Sequence, residues 1–136
     1  MIKGLAHVCL SAEDLAAAEA FYAGTLGFRK LFEFTRTGKV VGFYFEISEG
    51  SYIEIFRQDG LDPDASCPIR HFCLEVSGMD ALRGRLLSAG HAVSAKKLGR
   101  DGSWQCWITD PSGTRIEFHE YTPESAQHNP RTCILD

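Results

Sequence analysis

Two histidines and two glutamates carry the chemistry that this sequence offers. His7 and His71 stand in strand-like runs that are 71 − 7 = 64 residues apart. Glu54 and Glu117 stand in two further strand-like runs, 117 − 54 = 63 residues apart. A mixed set of imidazole and carboxylate ligands suits a borderline divalent ion. The four residues therefore predict a metal site for an ion such as nickel, zinc, cobalt, iron or manganese.

The matching intervals indicate a duplicated module. The segment LAHVCL around His7 returns as IRHFCL around His71, and YIEIF around Glu54 returns as RIEFH around Glu117. A repeat this long places equivalent side chains at equivalent positions of two similar units. Two histidines and two glutamates can then converge on one ion.

The five cysteines favour a reduced, cytoplasmic setting. Their number is odd and no C-x-x-C pair occurs, which is typical of free thiols rather than of a disulfide framework. Cys9 and Cys73 each follow a candidate histidine by two residues. We expect both to be small buried hydrophobic residues rather than ligands, because free cysteine is commonly buried.

The elements that position these residues form a βαβββ pattern twice, in a single α+β domain. The first module, residues 1–57, has predicted strands at 3–10, 28–35, 40–47 and 52–57 and a helix with Ser11 as its N-cap. A linker at 58–68 leads to the second module, residues 69–121. Its predicted strands are 69–76, 92–97, 104–110 and 114–121, its helix is 79–89, and a polar tail follows at 122–136.

Strand alternation predicts the direction of the two glutamates. Glu54 alternates with the apolar pair Ile53 and Ile55, and Glu117 with Ile116 and Phe118. We expect the apolar faces to pack on the helices and the opposite faces to line a cavity. His119 shares the face of Glu117, but as a lone histidine it fits a solvated position equally well.

Composition excludes several classes of partner. The net charge is −4 with no basic block, which argues against a nucleic-acid partner. No apolar stretch is long enough to cross a bilayer, and the first residues show no export signal. A small molecule is therefore the expected ligand.

These motifs resemble the vicinal oxygen chelate superfamily, which includes glyoxalase I, extradiol dioxygenases and the bleomycin resistance proteins. The resemblance runs from about residue 5 to 121, and the DPSGTRIE run that contains Glu117 is among its most specific parts. It implies two curved open sheets around a metal-binding cavity. The ligand order His7, Glu54, His71, Glu117 is similar to that of short bacterial glyoxalase I.

The resemblance also implies a mechanism and an assembly. In glyoxalase I the substrate is the hemithioacetal of methylglyoxal and glutathione, which reacts through an enediolate. Here Glu117 is the first candidate for the base, with Glu54 as its near-symmetric partner. Many members are homodimers in which each metal site combines the N-terminal half of one subunit with the C-terminal half of the other.

Two departures separate the chain from glyoxalase I and leave the substrate open. Ser11 stands where bacterial glyoxalase I has an arginine for the glutathione carboxylate, and Gln58 stands where it has an asparagine. One alternative is an epimerase or lyase for a sugar-derived ketone without a thiol cofactor, and another is a ligand-sequestering resistance protein. An aromatic wall for a sugar-like or aromatic substrate could come from Phe43, Tyr52, Phe56, Trp104 and Trp107. The same residues fit an ordinary core equally well, and we expect at least one tryptophan to be core.

Overall fold

The computed structural model describes residues 1–62, 64–65 and 67–135, which form two compact units. The first unit is Met1–Ser66 with Asp110–Thr114, and the second is Cys67–Thr109 with Arg115–Asp136. The predicted linker 58–68 contains positions 63 and 66, which lie outside the described residues.

The first unit contains a four-stranded mixed sheet. Its elements are β1 (His7–Ala12), α1 (Leu15–Glu19), a π-helix (Ala20–Thr25), β2 (Arg29–Arg36), β3 (Lys39–Ser48) and β4 (Ser51–Arg57). The strand order is β1-β4-β3-β2, with β1 parallel to β4 and the other pairs antiparallel.

The second unit repeats this arrangement. Its elements are β5 (Phe72–Glu75), α2 (Met79–Ser88), β6 (Lys97–Leu98), β7 (Trp104–Thr109) and β8 (Arg115–Glu120). The strand order is β5-β8-β7-β6, with β5 parallel to β8. The prediction of an α+β fold with tandem βαβββ modules and open sheets is confirmed.

Several predicted boundaries are wrong. Ser11 lies inside β1, and the first helix is capped instead by Asp14, whose Oδ1 accepts from the amides of Ala16 and Ala17 at 2.9 and 3.0 Å. The strand predicted at 69–76 begins only at Phe72, so His71 precedes β5. The strand predicted at 92–97 shortens to β6, because Ser94 Oγ accepts the amide of Trp107 in place of a regular ladder carbonyl.

The apolar face of each sheet forms the core of its unit, as alternation predicts. Ile53 and Ile55 are at most 1% exposed in the first unit. Ile116 and Phe118 are at most 2% exposed in the second. The glutamates between these residues consequently project from the opposite faces.

The polar C-terminal segment is ordered against the turn between β6 and β7. Ser103 and Ser125 are fully buried and share a hydrogen bond of 2.9 Å. Arg131 donates to the carbonyl oxygen of Glu124 at 2.8 Å. Ile134 and Leu135 are exposed and do not dock on the second unit. Among the described residues, no helix is both long and apolar enough to traverse a bilayer.

Candidate metal centre

In the first unit the sheet brings His7 and Glu54 together. Parallel pairing places Cys9 opposite Glu54 and His7 opposite Tyr52, so that alternate residues of β1 and β4 share one face. His7 Nε2 lies 3.3 Å from Glu54 Oε1. Both side chains are partly accessible, at 39% and 18% of their surface, so they remain open to a ligand.

The second unit brings His71 and Glu117 together in the same way. Cys73 is opposite Glu117 in the parallel pairing of β5 and β8. His71 Nε2 lies 3.1 Å from Glu117 Oε2. His71, which immediately precedes β5, therefore occupies the position that His7 of β1 occupies in the first unit. Each unit presents one imidazole and one carboxylate.

The spacing of each pair fits two ligands of one divalent ion. Ligands at about 2.0–2.2 Å from an ion are roughly 3 Å apart when their bonds meet at a right angle, and roughly 3.4 Å apart at a tetrahedral angle. The separations in the two pairs, 3.3 and 3.1 Å, lie in this interval. The structure thus joins His7 with Glu54 and His71 with Glu117, whereas convergence of all four on one ion stays a prediction.

The two cysteines beside the glutamates are exposed, so the expectation that they are buried is wrong. They follow the histidines by two residues and therefore project from the polar face instead of the core. Desolvation, with the Glu54 carboxylate, raises the pKa of Cys9. Desolvation, with the negative charge of Glu117, raises the pKa of Cys73 to about 12. In the metal-free protein both thiols consequently stay protonated near neutral pH.

His119 also belongs to the site, although the sequence alone does not distinguish it from a solvated histidine. Its Nε2 lies 3.0 Å from Glu117 Oε1, so imidazoles approach both oxygens of this carboxylate. Its side chain is only 13% exposed. Its position two residues after Glu117, on the same face of the strand, was the only signal in the sequence. The first module does not repeat this signal, because it has Phe56 at the equivalent position, 119 − 63 = 56.

Aromatic rings surround His7 and Glu54 on the polar face of the first sheet. Tyr44 is opposite Glu54 in the pairing of β3 and β4, and its hydroxyl lies 3.5 Å from His7 Nδ1. The ring of Phe32 stacks on Tyr44 at 4.8 Å. Phe34 and Phe56 meet at 4.6 Å over Gly42, where a Cβ atom would lie only 2.9 Å from the Phe56 ring.

The predicted aromatic wall is only partly formed. Phe43 is buried in the core, while Tyr52 and Phe56 share the face of Glu54. Trp107 packs edge-on against His71 at 4.8 Å and carries the Arg115 guanidinium 4.5 Å above its ring. Trp104 lies on the other face of β7, where the Lys96 ammonium is 4.7 Å from its ring.

The two positions that depart from glyoxalase I bind each other. The Ser11 hydroxyl donates to Gln58 Oε1 at 2.6 Å. The pair is uncharged. Arg57, the neighbouring cation, is paired with Asp59 at 3.2 Å.

A sequence profile described as the Glyoxalase/Bleomycin resistance protein/Dioxygenase superfamily matches residues 4–118. The chain belongs to this superfamily. It is 29% identical to the uncharacterized protein YaeR of Escherichia coli (strain K12), over 88% of this chain and 97% of that protein.

Solved structures support the same family. The glyoxalase family protein from Enterococcus faecalis is 26% identical with a TM-score of 0.75, and the match covers 87% of this chain and 98% of that one. Lactoylglutathione lyase from Agrobacterium tumefaciens is 24% identical with a TM-score of 0.68, over 88% and 94% of the two chains. The second similarity is evidence for the shared fold alone.

Proposed function

We propose that this superfamily member is a metal-dependent lyase or isomerase that acts through an enediolate on an α-hydroxycarbonyl compound. The supporting observation is the recurrence of the same His–Glu pair, at separations of 3.3 and 3.1 Å, at equivalent positions of the repeat in both units. One divalent ion, nickel or zinc first, is held by His7, Glu54, His71 and Glu117. This donor set suits such ions.

The residues divide the chemistry between holding and proton transfer. When bound, the ion supplies Lewis-acid stabilisation of the negative charge that develops on the substrate oxygens. The only role of His7 and His71 is to hold the ion. A glutamate removes the proton from the carbon beside the carbonyl and returns it to the neighbouring carbon. Glu54 and Glu117 both flank the reacting centre in this proposal.

The hydrogen-bonded pair Ser11–Gln58 favours a substrate without glutathione. In glyoxalase I, which the chain resembles, these positions carry an arginine, which meets the glutathione carboxylate, and an asparagine. Here the serine hydroxyl is committed to the glutamine at 2.6 Å and brings no positive charge. The hemithioacetal of methylglyoxal and glutathione therefore becomes the second candidate, behind a sugar-derived or other α-hydroxyketone.

Metal content is the first test. Tag-free protein purified without chelators should contain about one nickel or zinc ion per site, and the His7→Ala and His71→Ala variants should lose it. His91→Ala, a histidine of the second unit that the proposal does not use, is the control. A wild-type protein that takes up no divalent ion after incubation with each candidate would falsify the proposed function.

Proton transfer is the second test. Metal-loaded protein is incubated in deuterium oxide with α-hydroxyketones or with methylglyoxal plus glutathione. Exchange of the proton beside the carbonyl is followed by nuclear magnetic resonance, which detects abstraction even without net product. Proton exchange in the α-hydroxyketones without glutathione supports a thiol-free substrate. Exchange seen only with methylglyoxal plus glutathione supports the glyoxalase I reaction instead. Absence of exchange from the whole panel favours a ligand-sequestering protein.

A further inference from the structure

We propose that His119 is a positioning residue that holds one oxygen of Glu117, so that the other oxygen is directed to the metal. This inference rests on the proposed function, because it takes Glu117 as a metal ligand. It concerns a residue outside the set His7, Glu54, His71 and Glu117.

The contacts of Glu117 assign a different role to each of its oxygens. His119 Nε2 makes a hydrogen bond of 3.0 Å with Oε1, and His71 Nε2 lies 3.1 Å from Oε2. A histidine that coordinates an ion through Nε2 must keep the lone pair of that nitrogen free. His71 thus suits a co-ligand on the Oε2 side, while His119 suits a donor whose Nε2–H binds Oε1.

The burial of Glu117 favours a strong donor to its free oxygen. Glu117 is 7% exposed as a residue, and its neighbours along β8, Ile116 and Phe118, belong to the core. A carboxylate in such surroundings is costly unless its oxygens are bound. A hydrogen bond to one oxygen also fixes the rotation of the carboxylate plane. Such partners behind a metal ligand set its orientation and strengthen metal binding.

The two units differ at this one position of an otherwise matching set. Each unit has a histidine, a cysteine and a glutamate on the shared face, but the residue two places after the glutamate is Phe56 in one and His119 in the other. The Phe56 ring contacts Phe34 instead of the carboxylate. Glu54 is therefore held by fewer groups than Glu117.

A different use of His119 has to be distinguished from this one. The Cys73 thiol, a carboxylate oxygen of Glu117 and a ring nitrogen of His119 lie within 4.8 Å of one another. These three atoms could themselves be ligands of an ion. In that arrangement Cys73 and His119 are both indispensable, whereas a positioning role makes only the hydrogen bond of His119 important.

Metal affinity of four variants separates these roles. Metal-free proteins are titrated with zinc and nickel in competition with a chromophoric chelator, and the melting temperature of each metal-free protein checks its fold. We expect His119→Phe, which copies the first unit, to weaken binding about 10–100-fold. His119→Gln should recover most of the loss, because its amide still donates to Glu117. Cys73→Ala and the control His128→Phe should bind like wild type.

Each other result overturns the positioning role. Unchanged affinity in His119→Phe would show that Glu117 needs no partner on Oε1. Equal losses in His119→Phe and His119→Gln, together with a loss in Cys73→Ala, would make His119 and Cys73 direct ligands. If the wild-type protein binds neither ion, the proposed function fails. If wild type and His119→Phe bind the ion equally well, only the positioning role fails.

Discussion

Glu54 and Glu117 occupy equivalent positions but differ in how firmly they are held. Glu117 has imidazole nitrogens at 3.0 and 3.1 Å from its two oxygens. Glu54 has one, at 3.3 Å. A cysteine thiol, which is a weak donor, lies beside each glutamate, Cys9 beside Glu54 and Cys73 beside Glu117, so the thiols do not distinguish them. A general base must turn a free lone pair toward the substrate. The contacts thus favour Glu54 as the base and Glu117 as the permanent ligand.

Amide variants of the two glutamates test this division. We expect Glu54→Gln to lower proton exchange by at least about 100-fold while metal stays bound, because the amide oxygen can coordinate but cannot take a proton. Glu117→Gln should instead weaken metal binding, because the amide disturbs the contacts with both imidazoles. The two quantities are measured on the same samples by exchange rate and elemental analysis. The reverse pattern would return the role of base to Glu117, the residue that the family resemblance puts first.

The sequence predicts the site residues that occur in both modules, but it does not predict the one that occurs only in the second module. The histidine and the glutamate of the first module, His7 and Glu54, are recognisable because each recurs in the second module, as His71 and Glu117, at nearly the same interval. The structure joins them pairwise within each unit. His119 has no counterpart in the first module, so only the three-dimensional contact with Glu117 distinguishes it from a surface histidine.

Among the elements, the turn between β6 and β7 shows how the polar C-terminal segment is held. Gly102 has a φ of +82°, and a Cβ atom there would lie 2.8 Å from the carbonyl oxygen of Glu124. The carbonyl of Gly102 also accepts from Thr122 Oγ1 at 2.8 Å. Only a glycine allows this close approach of two backbone segments.

Replacing Gly102 with alanine should destabilise the protein more than the same change at Gly90. Both positions have positive φ, +82° and +87°, which costs alanine roughly 1–2 kcal/mol. A Cβ atom at Gly90 meets no described atom within 4 Å, so only Gly102→Ala adds a steric clash, worth roughly 1–3 kcal/mol more. Urea unfolding of the two variants measures the difference. Equal losses would show that the C-terminal segment moves aside freely.

A second connection joins the π-helix to the turn before β8. The buried Tyr22 hydroxyl donates to Asp110 Oδ2 at 2.8 Å, and Asp110 Oδ1 accepts from the amides of Ser112 and Thr114 at 2.9 and 2.7 Å. Desolvation, with the negative charge of Asp110, raises the pKa of Tyr22 well above its usual value. This buried group therefore stays protonated in the folded protein under alkaline conditions.

The stability that Tyr22 contributes should disappear at high pH. Unfolded tyrosine ionises near pH ~10, so above that pH the unfolded state binds fewer protons than the folded state and stability falls. We expect Tyr22→Phe to cost about 1–3 kcal/mol at pH 7, because Asp110 loses a donor, and the gap to wild type to narrow above pH ~10. Urea unfolding between pH 7 and 11 measures it, with Tyr52→Phe as the control. A gap that stays constant would contradict the raised pKa.

Element types and their order follow from the sequence, while their ends do not. Alternation around Ile53 and Ile55 gives β4 almost to the residue. The start of the first helix is misplaced because Ser11 and Asp14 are both good caps, and the hydrogen bond from Ser11 to Gln58, 47 residues away, decides between them. The short β6 depends likewise on the Ser94 side chain replacing a backbone acceptor.

For the whole molecule, the duplicated architecture raises the question of which halves share a metal ion. Each unit contributes one histidine and one glutamate, half of the predicted ligand set. The resemblance to the superfamily implies a homodimer in which each site combines the N-terminal half of one subunit with the C-terminal half of the other. Symmetric dimers of this kind contain two identical sites.

Mixing two inactive variants distinguishes shared sites from sites within one chain. His7→Ala damages the N-terminal half and His71→Ala the C-terminal half, so neither variant alone should bind metal. After random subunit exchange about half of the dimers are mixed, and in each of these one shared site keeps all four ligands, so about a quarter of the wild-type metal should return. Native mass spectrometry verifies the mixed dimers, and elemental analysis counts the ions. Mixed dimers without any recovered metal would place all four ligands of each site within a single chain, because only then does every site in the mixture retain one damaged histidine.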